Sequence, residues 1–314
     1  MQLDGMGVGL IAHYNLEAQQ LIQDRTTHDL AVRLSELGAK VLVAPWQELA
    51  TSDAHFVDNE TRALIPCEDL KREASVVHVR DLGEFENQRE AFNEFLKGLE
   101  SLNVPICNSV PVLRQNLSKR YLLDFHEQGL PVAELTVVTS PEELMAWNDM
   151  HSNRFSDVVL KPLEFGELGK GVYRQSQLSQ AQLSQLLDGG VPYIAQEYLP
   201  AIKYGEKRLV FVGRQLSHAV LKGILDDFKQ SSKQSIVPYE PSTREIDIAM
   251  QVLDQLKDEV DVMRLDLVGS GKEVRIMEVE LINPNLHEDA CPAGEAYPQR
   301  FADYICARYF QEGR

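Results

Sequence analysis

The order of strands and helices changes near residue 111, and this change constrains the fold more than any single motif. Before it, apolar segments such as "AKVLVAPW" alternate with helical segments such as "ENQREAFNEFLKGLESL". After it, strands follow one another directly, as in "EKRLVFVGRQLSHAVLK", which turns at Gly213. Alternation favours a parallel sheet, whereas hairpins require antiparallel pairing. The sequence therefore predicts an α/β domain over about the first 110 residues, followed by an α+β part.

Residues at the ends of segments predict where several elements stop. Gly38 follows the helical segment "HDLAVRLSEL" at a position typical of a C-cap. The segment "LRQNLSKRYLLDFHEQGLP" predicts one amphipathic helix that carries Lys119 and is closed by Gly129 and Pro131. The glycines of "GMGVG" precede the first strand instead of following it, which argues against a dinucleotide fingerprint.

Composition excludes several classes of partner. The 314 residues include 31 Lys and Arg against 48 Asp and Glu, a formal net charge of -17, which argues against nucleic acid or an anionic membrane as a general partner. No apolar run approaches the ~20 residues of a membrane span, and the N-terminus does not resemble a signal peptide, so a soluble cytoplasmic protein is expected. The cysteines are far apart and predict free thiols; they are Cys67, Cys107, Cys291 and Cys306.

Two glutamates alternate with apolar residues in the strand "IMEVELINPNL". A period of two places Ile276, Glu278 and Glu280 on one face, and Met277 and Val279 on the other. Like charges side by side indicate either a solvent-exposed face or a face that carries a cation. The strand alone leaves both interpretations open.

The preceding strand, "VMRLDLV", adds a third carboxylate. The short turn that follows it would pair Val268 with Val274 and set Asp266 opposite Ile276, which makes Asp266 and Glu278 diagonal neighbours. Three carboxylates with neither His nor Cys among them favour Mg²⁺ or Mn²⁺ over zinc. Two such ions that clamp a triphosphate would account for the adjacent glutamates.

Two further segments have residues suited to a nucleotide. Lys161 ends the strand "DVVLK", directly before the glycine-bearing loop "LEFGELGKGV", where its charge and the backbone N–H groups could meet phosphate oxygens. A solvated lysine at a surface hairpin is the alternative. The segment "QEYLP" follows another strand and could offer backbone groups to a purine edge, with Glu197 near a ribose hydroxyl.

In chain order, Lys119, "VVLKP" with its loop, "QEYLP", "GEKRLVFVG…HAVLK", "MRLDLV" and "MEVELINPNL" resemble the ATP-grasp superfamily. The resemblance covers about residues 110–314. Its spacing is similar to that of prokaryotic glutathione synthetase, and its ending is similar to the branch that includes the enzyme of D-cycloserine formation. The resemblance implies an α/β + α+β protein, in which a pre-ATP-grasp domain (1–112) precedes a small lid lobe (113–192) and a C-terminal lobe with the metal site (193–314).

The function implied by the resemblance is a carboxylate–amine ligase. The γ-phosphoryl group of ATP would move to a carboxylate, and an amine would attack the acylphosphate to leave an amide, ADP and phosphate. ATP with two Mg²⁺ ions (or Mn²⁺), amino-acid-like small molecules as substrates and a homodimer are expected. A small-molecule kinase on the same fold and a non-catalytic ATP-binding regulator are the alternatives.

The resemblance also implies roles for particular residues. Arg208 falls where the family places an arginine that stabilises the transferred phosphoryl group, and Lys222 where arginine is frequent. The metal carboxylates would be Asp266, Glu278 and Glu280, although asparagine is the commonest residue at the last of these positions. The nucleotide would be bound by Lys119, Lys161, Gly166, Gly169, Gly171, Gln196, Glu197, Tyr198, Leu199 and Asn283.

Arg80 is a candidate on other grounds. It ends the third strand, "VVHVR", and ligands of open α/β sheets bind beyond the carboxyl ends of strands. Arg80 could therefore pair with a substrate carboxylate. A structural ion pair, with Asp81 as a candidate partner, is the alternative.

Overall fold

The computed structural model describes residues 3–15, 18, 20–21, 25–51, 53–83, 85, 88–151, 154–164, 170–223, 235–256 and 258–310. Within these ranges a six-stranded sheet has a parallel centre, and a four-stranded and a five-stranded sheet are antiparallel, which confirms the predicted change from α/β to α+β. None of the described helices combines the length and the apolar character needed to cross a membrane. The four cysteines are free, as predicted.

The N-terminal sheet has the strand order β6-β5-β4-β1-β7-β8. Its centre, β4-β1-β7-β8, is parallel, and the antiparallel β5 and β6 were not predicted. The elements are β1 (Gly7–Ile11), β2 (Tyr14–Asn15), β3 (Gln20–Leu21), α1 (Arg25–Glu36), β4 (Lys40–Ala44), β5 (His55–Asp58), β6 (Leu64–Pro66), α2 (Leu70–Glu73), β7 (Val76–Val79), α3 (Arg89–Ser101) and β8 (Ile106–Cys107).

The predicted helix around Lys119 is in fact two helices, α4 (Val110–Asn116) and α5 (Tyr121–Glu127). Lys119 lies in the break between them, not on a helix as predicted. Its backbone N–H donates to the carbonyl of Leu163 at 2.7 Å, and Ser118 forms a β-bridge with Glu164. Strand-like pairing with the residues after β10 therefore replaces helical hydrogen bonds at this point.

The second sheet is antiparallel, with the order β11-β10-β12-β9. One of its faces packs on two helices through a core that includes Leu144, Trp147 and Leu187. Its elements are β9 (Leu135–Val138), α6 (Pro141–His151), β10 (Val158–Pro162), β11 (Tyr173–Arg174), α7 (Gln180–Leu187) and β12 (Tyr193–Glu197).

The third sheet is also antiparallel, with the order β15-β14-β13-β16-β17. Its core includes Leu122 and Phe125 of α5 and Val252 of the helix Thr243–Gln255. Complete burial of such a side chain contributes about 1.5–3 kcal/mol. The elements are β13 (Glu206–Val212), β14 (Gln215–Lys222), β15 (Ile236–Pro238), α8 (Thr243–Gln255), β16 (Val262–Val268), β17 (Arg275–Glu280), α9 (Pro292–Glu295) and α10 (Tyr297–Tyr309).

The register of the β16–β17 hairpin differs from the prediction. Asp266 lies directly opposite Glu278, not opposite Ile276, and Val268 pairs with Arg275 instead of Val274. The pairing shifts between Asp266 and Leu267, which is the mark of a β-bulge. The extra residue turns Ile276 into the apolar core, so Ile276 does not share a face with Glu278 and Glu280.

Contacts between the N-terminal part and the third sheet fix the position of this hairpin. Asn108, after β8, donates to the carbonyls of Val262 (2.7 Å) and Leu281 (2.8 Å) and accepts from the N–H of Asp261 at 2.7 Å. The final helix, α10, packs its Phe301 into the same core as residues of β1. The N-terminal domain thus buttresses the strands that carry the carboxylates.

Candidate functional site

The second sheet presents Lys161 toward the third. Lys161 lies opposite Ile194 in the β10–β12 pair, and Ile194 belongs to the core shared with the third sheet. The lysine is only 8% exposed. Burial lowers the pKa of Lys161, opposed mainly by the negative charge of Glu278. A buried ammonium whose carboxylate neighbours come from another sheet is well placed to bind an anion between the two sheets.

Lys119 reaches the same region from the break between α4 and α5. Its Nζ lies 3.2 Å from Oε1 of Glu278. The residues on either side hold this break against β17, since Asn116 Nδ2 and the Tyr121 hydroxyl both donate to the carbonyl of Val279. Lys119 and Lys161, the two lysines predicted to bind phosphates, therefore both lie near Glu278.

Asp266 is almost completely buried, and its partner is an arginine of its own strand. Arg264 donates through Nε and Nη2 to the two carboxylate oxygens of Asp266, each at 2.8 Å. Arg208 Nε lies 3.8 Å from the same group. Burial would raise the pKa of Asp266, but the charges of Arg264 and Arg208 outweigh it and lower the pKa. Asp266 therefore stays ionised.

Glu280 has the opposite pKa shift. Burial, with the negative charges of Glu278 and Asp266, raises the pKa of Glu280 to about 7, although Arg264 opposes the shift. Its Oε1 lies 3.3 Å from Arg264 Nη2. The three predicted metal carboxylates thus lie on one face of the hairpin, each beside a basic side chain.

Arg208 and Lys222 lie near these carboxylates on β13 and β14. Arg208 Nε donates to Glu206 at 2.7 Å, and its Nη1 donates to Nε2 of His287 at 2.8 Å. Lys222 is paired with Glu206 across the two strands. Burial lowers the pKa of Lys222, and the nearby charge of Arg208 lowers it further. The two predicted phosphoryl-handling cations therefore adjoin Asp266 on the third sheet.

His287 acts here as an uncharged acceptor. Burial and the adjacent positive charge of Arg208 lower the pKa of His287 to about 3. Its backbone adopts φ 53°, and its N–H donates to Oδ1 of Asn285 at 3.1 Å. This turn directs the ring at Arg208.

The predicted adenine segment begins at Gln196, which is 2% exposed on the strand face that also carries Lys161. Its Nε2 has no hydrogen-bond partner among the residues that the structure describes. Two of the N–H groups offered to a purine are used within the protein, because Glu197 donates to Glu134 and Tyr198 donates to Asp157, each at 2.9 Å. Leu199 directly follows them.

Arg174 links the end of the glycine loop to this segment. Its guanidinium lies 4.0 Å above the ring of Tyr198, within the range of a cation–π contact, and its Nε donates to Asp157 at 2.8 Å. Gly171 has φ +74° and approaches Pro162 so closely that an added Cβ would lie 2.7 Å from it. Two of the predicted loop glycines, Gly166 and Gly169, lie outside the described residues.

Arg80 and Asn283 hold the N-terminal domain to the third sheet. Arg80 is 3% exposed; its Nη2 lies 3.0 Å from Glu288 and its Nη1 donates to the carbonyl of Pro284. The structure thus shows an ion pair of Arg80 with Glu288, where the sequence suggested Asp81. Asn283 Oδ1 accepts from the N–H of Leu82 at 3.3 Å, a contact that does not involve its Nδ2, and its predicted role toward phosphate stays a prediction.

The donors of the carboxylate face suit magnesium in their chemistry. No group of three His, Cys, Asp or Glu in the described part of the chain is arranged to hold a single ion. Mg²⁺ in nucleotide sites usually has one or two carboxylates, with phosphate oxygens and water as its other ligands. Glu278 and Glu280 fit that role, and Asp266, both of whose oxygens are bound by Arg264, lies beside them.

Three residues that the structure brings to the site were not among the predicted site residues. Arg264 sits two positions before Asp266, and strand alternation alone places it on the carboxylate face, so this signal was available. His287 and Arg174 reach the site through a left-handed turn and a loop, and local sequence carries little information on either.

A parallel α/β domain followed by two antiparallel sheets, with a buried lysine on one and carboxylates on the other, is the arrangement of ATP-grasp proteins. Residues 119–285, just over half of the chain, match the family described as prokaryotic glutathione synthetase, ATP-grasp domain. The chain belongs to this family.

Individual relatives agree with that assignment. The cycloserine biosynthesis protein DcsG of Streptomyces lavendulae is 32% identical over 142 residues, which are 42% of this chain and 47% of DcsG. The chain thus spans about half the length of this relative in sequence. In three dimensions, the crystal structure of D-cycloserine synthetase DcsG matches 97% of this chain and 100% of its own, with a TM-score of 0.72 at 21% identity.

A second solved structure is the ATP-grasp ligase PsnB complexed with a minimal precursor, Mg and ADP. It has a TM-score of 0.65 at 16% identity and covers 97% of this chain and 98% of its own. At these identities the likeness establishes the fold.

Proposed function

We propose that this protein is an ATP-dependent carboxylate–amine ligase that forms an amide or peptide bond on amino-acid-like small molecules and releases ADP and phosphate. One observation carries the proposal. The buried Lys161 of the second sheet and Lys119 beside it meet the carboxylates of the third sheet, with Lys119 3.2 Å from Glu278. Opposite charges concentrated between two sheets suit a polyanion that arrives with divalent cations.

Each side of this cleft has a part in the proposal. Lys119 and Lys161 bind the phosphates; of the predicted phosphate loop, residues 165–169 lie outside the described part of the chain. Gln196 Nε2, which has no partner among the described residues, recognises the adenine edge together with the backbone groups of Glu197 to Leu199 other than the N–H groups of Glu197 and Tyr198. Two Mg²⁺ ions, held by Glu278 and Glu280 with Asp266 alongside, supply charge neutralisation for the triphosphate.

Phosphoryl transfer then depends on the cations of β13 and β14. A carboxylate oxygen of the substrate attacks the γ-phosphorus, and the bond to the β-phosphate oxygen breaks to release ADP. Arg208, fixed by Glu206 and His287, neutralises the transferred group, and Lys222 lies beside it. The amine nitrogen next attacks the carbonyl carbon, phosphate leaves with one former carboxylate oxygen, and the amine loses a proton. The protein contributes position and charge, not a covalent nucleophile.

The relatives support ligation as the class of reaction. One structural neighbour is named D-cycloserine synthetase, and another is a ligase complexed with a precursor, Mg and ADP. Arg80, which is engaged by Glu288, is not given a catalytic role in this proposal.

The test is an assay for ADP, AMP and phosphate with Mg-ATP and a matrix of amino acids and small amines, with mass spectrometry of each mixture. Ligation predicts substrate-dependent ADP and a product lighter than its two substrates by one water. With ¹⁸O in the carboxylate, an acylphosphate predicts ¹⁸O in the released phosphate. A product that gains a phosphate would identify a kinase instead, and tight nucleotide binding without turnover across the matrix would favour the regulatory alternative.

A further inference from the structure

The residue at the centre of the carboxylate face is basic. Arg264 is 4% exposed, and its guanidinium has four acceptors around it. These are the two oxygens of Asp266, Oε1 of Glu280 at 3.3 Å and the carbonyl of Asn285 at 3.1 Å. No step of the proposed reaction uses Arg264.

Arg264 and Glu280 are cross-strand neighbours. The two residues lie directly opposite each other in the β16–β17 register, so neighbouring strands hold them together. Glu278, by contrast, has as its partner Lys119, which comes from a different part of the chain. The negative charge of Glu280 therefore faces a positive charge of the same hairpin, whereas that of Glu278 faces a positive charge from outside the hairpin.

We propose that Arg264 is a positioning residue that offsets the charge of Glu280 and makes metal binding depend on the nucleotide. The inference rests on the proposed function, in which this face binds divalent cations. Glu278, Glu280 and Asp266 together would attract a divalent ion strongly in a buried setting. The fixed guanidinium reduces that attraction, so the ion needs the additional negative charge of a triphosphate to be held well.

The experiment measures binding of Mn²⁺ alone to the full-length protein by electron paramagnetic resonance, followed by titration in the presence of AMPPNP. At pH 8, where Glu280 with its pKa of about 7 is mostly ionised, Glu280→Gln should weaken binding of Mn²⁺ alone about tenfold and Arg264→Gln should strengthen it about tenfold, since each changes the net charge of the face by about one unit. The double variant should return to within about threefold of wild type. The enhancement of Mn²⁺ binding by AMPPNP should shrink in Arg264→Gln.

Arg264→Lys separates charge from shape, because it keeps the charge and loses the planar fork. It should bind Mn²⁺ within about threefold of wild type. Arg275→Gln is the matched control: Arg275 lies on β17 and pairs with the exposed Glu273, so its loss should leave Mn²⁺ affinity unchanged.

Unchanged or weaker Mn²⁺ binding in Arg264→Gln would overturn the inference, as would a double variant weaker than Glu280→Gln. Should Arg264→Gln fail to fold, Glu280→Gln and Arg264→Lys decide the matter, because an Arg264→Lys protein that departs from wild type shows that charge is not the cause. Calorimetry with AMPPNP and wild-type protein tests the proposed function separately. Absence of AMPPNP binding would refute that function, whereas normal binding with no charge coupling would refute only the role of Arg264.

Discussion

The two antiparallel sheets carry opposite charges toward each other, and they balance those charges differently. On the third sheet, Asp266 and Glu280 are paired with Arg264 of the same hairpin. On the second sheet, Lys161 is buried, and the carboxylates whose charges act on it belong to the third sheet.

This difference indicates which side is organised before ligand binding. A bidentate arginine–carboxylate pair fixes geometry as well as charge, so the third sheet holds its groups in place by itself. Lys161 has a depressed pKa because burial disfavours its charge. An incoming triphosphate would supply the counter-charge, so we expect ligand binding to stabilise the second sheet more than the third.

The largest expected effect comes from the residue where the two sheets meet. Glu278→Gln keeps the size of the side chain but removes the charge that faces Lys119, and we expect turnover to fall by about three orders of magnitude with little change in melting temperature. Steady-state ADP release measures this. Glu273→Gln, on the exposed turn of the same hairpin, is the control and should stay active. An active Glu278→Gln enzyme would contradict the assigned metal site.

The free energy of unfolding should respond differently to substitutions in the two sheets. Asp266→Asn removes the anionic partner of the buried Arg264 and should cost about 3 kcal/mol of unfolding free energy. Lys161→Met removes a buried charge and should leave stability within about 1 kcal/mol of wild type, or raise it. Urea denaturation of both variants without nucleotide makes the comparison. Equal losses would show that the second sheet is organised as firmly as the third.

Acid should weaken the third sheet before the second. His218 of β14 is buried, its Nε2 donates to the carbonyl of Leu286 at 2.7 Å, and burial lowers the pKa of His218 to about 4. The unfolded chain, with an ordinary histidine pKa near 6.5, binds the proton first. Stability is therefore retained above about pH 6.5 and lost as the pH falls toward 4, by about 2 kcal/mol at pH 5 for this group.

Urea midpoints at pH 7 and pH 5 measure this loss, and it should be smaller in His218→Gln. His28→Gln, on the exposed surface of α1, is the control and should behave as wild type. Hydrogen exchange at pH 5 should accelerate in β14 more than in β10 and β12. Uniform acceleration across both sheets would remove His218 as the cause.

The smallest effect is expected at the loop after β17. His287→Ala removes the acceptor of Arg208 Nη1, and we expect kcat to fall about tenfold because the guanidinium loses one of its fixed contacts. The KM for ATP should change less, since His287 does not reach the predicted adenine segment. His287→Gln, which can still accept a hydrogen bond, should recover part of the rate. An equal fall in Ala and Gln variants would argue against a role through Arg208.

Much of the architecture could be predicted from the sequence. Alternating strands and helices gave the parallel centre of the N-terminal sheet, and the hairpins gave the two antiparallel sheets. Of the predicted site, the structure brings Lys119, Lys161, Asp266, Glu278 and Glu280 to one region. Their roles in binding and catalysis remain predictions.

The failures have a common cause. The break at Lys119 depends on its hydrogen bond to Leu163, far away in sequence, and the pairing of Arg80 with Glu288 joins two domains. The bulge that sets Asp266 opposite Glu278 is likewise decided by packing of Ile276 into the core. Local propensity and spacing contain none of these long-range contacts.

The sequence by itself determined which residue types could meet: one lysine in a helical segment, one before a glycine-bearing loop, and three carboxylates on adjacent strands. Strand periodicity and loop chemistry are local properties. Only the tertiary structure decided how the charges pair. In the folded chain, Lys119 forms an ion pair with Glu278, and Arg264 forms ion pairs with both Asp266 and Glu280. The physical reason is that the electrostatic energy of a charge depends on its burial and its neighbours in space, and folding sets both.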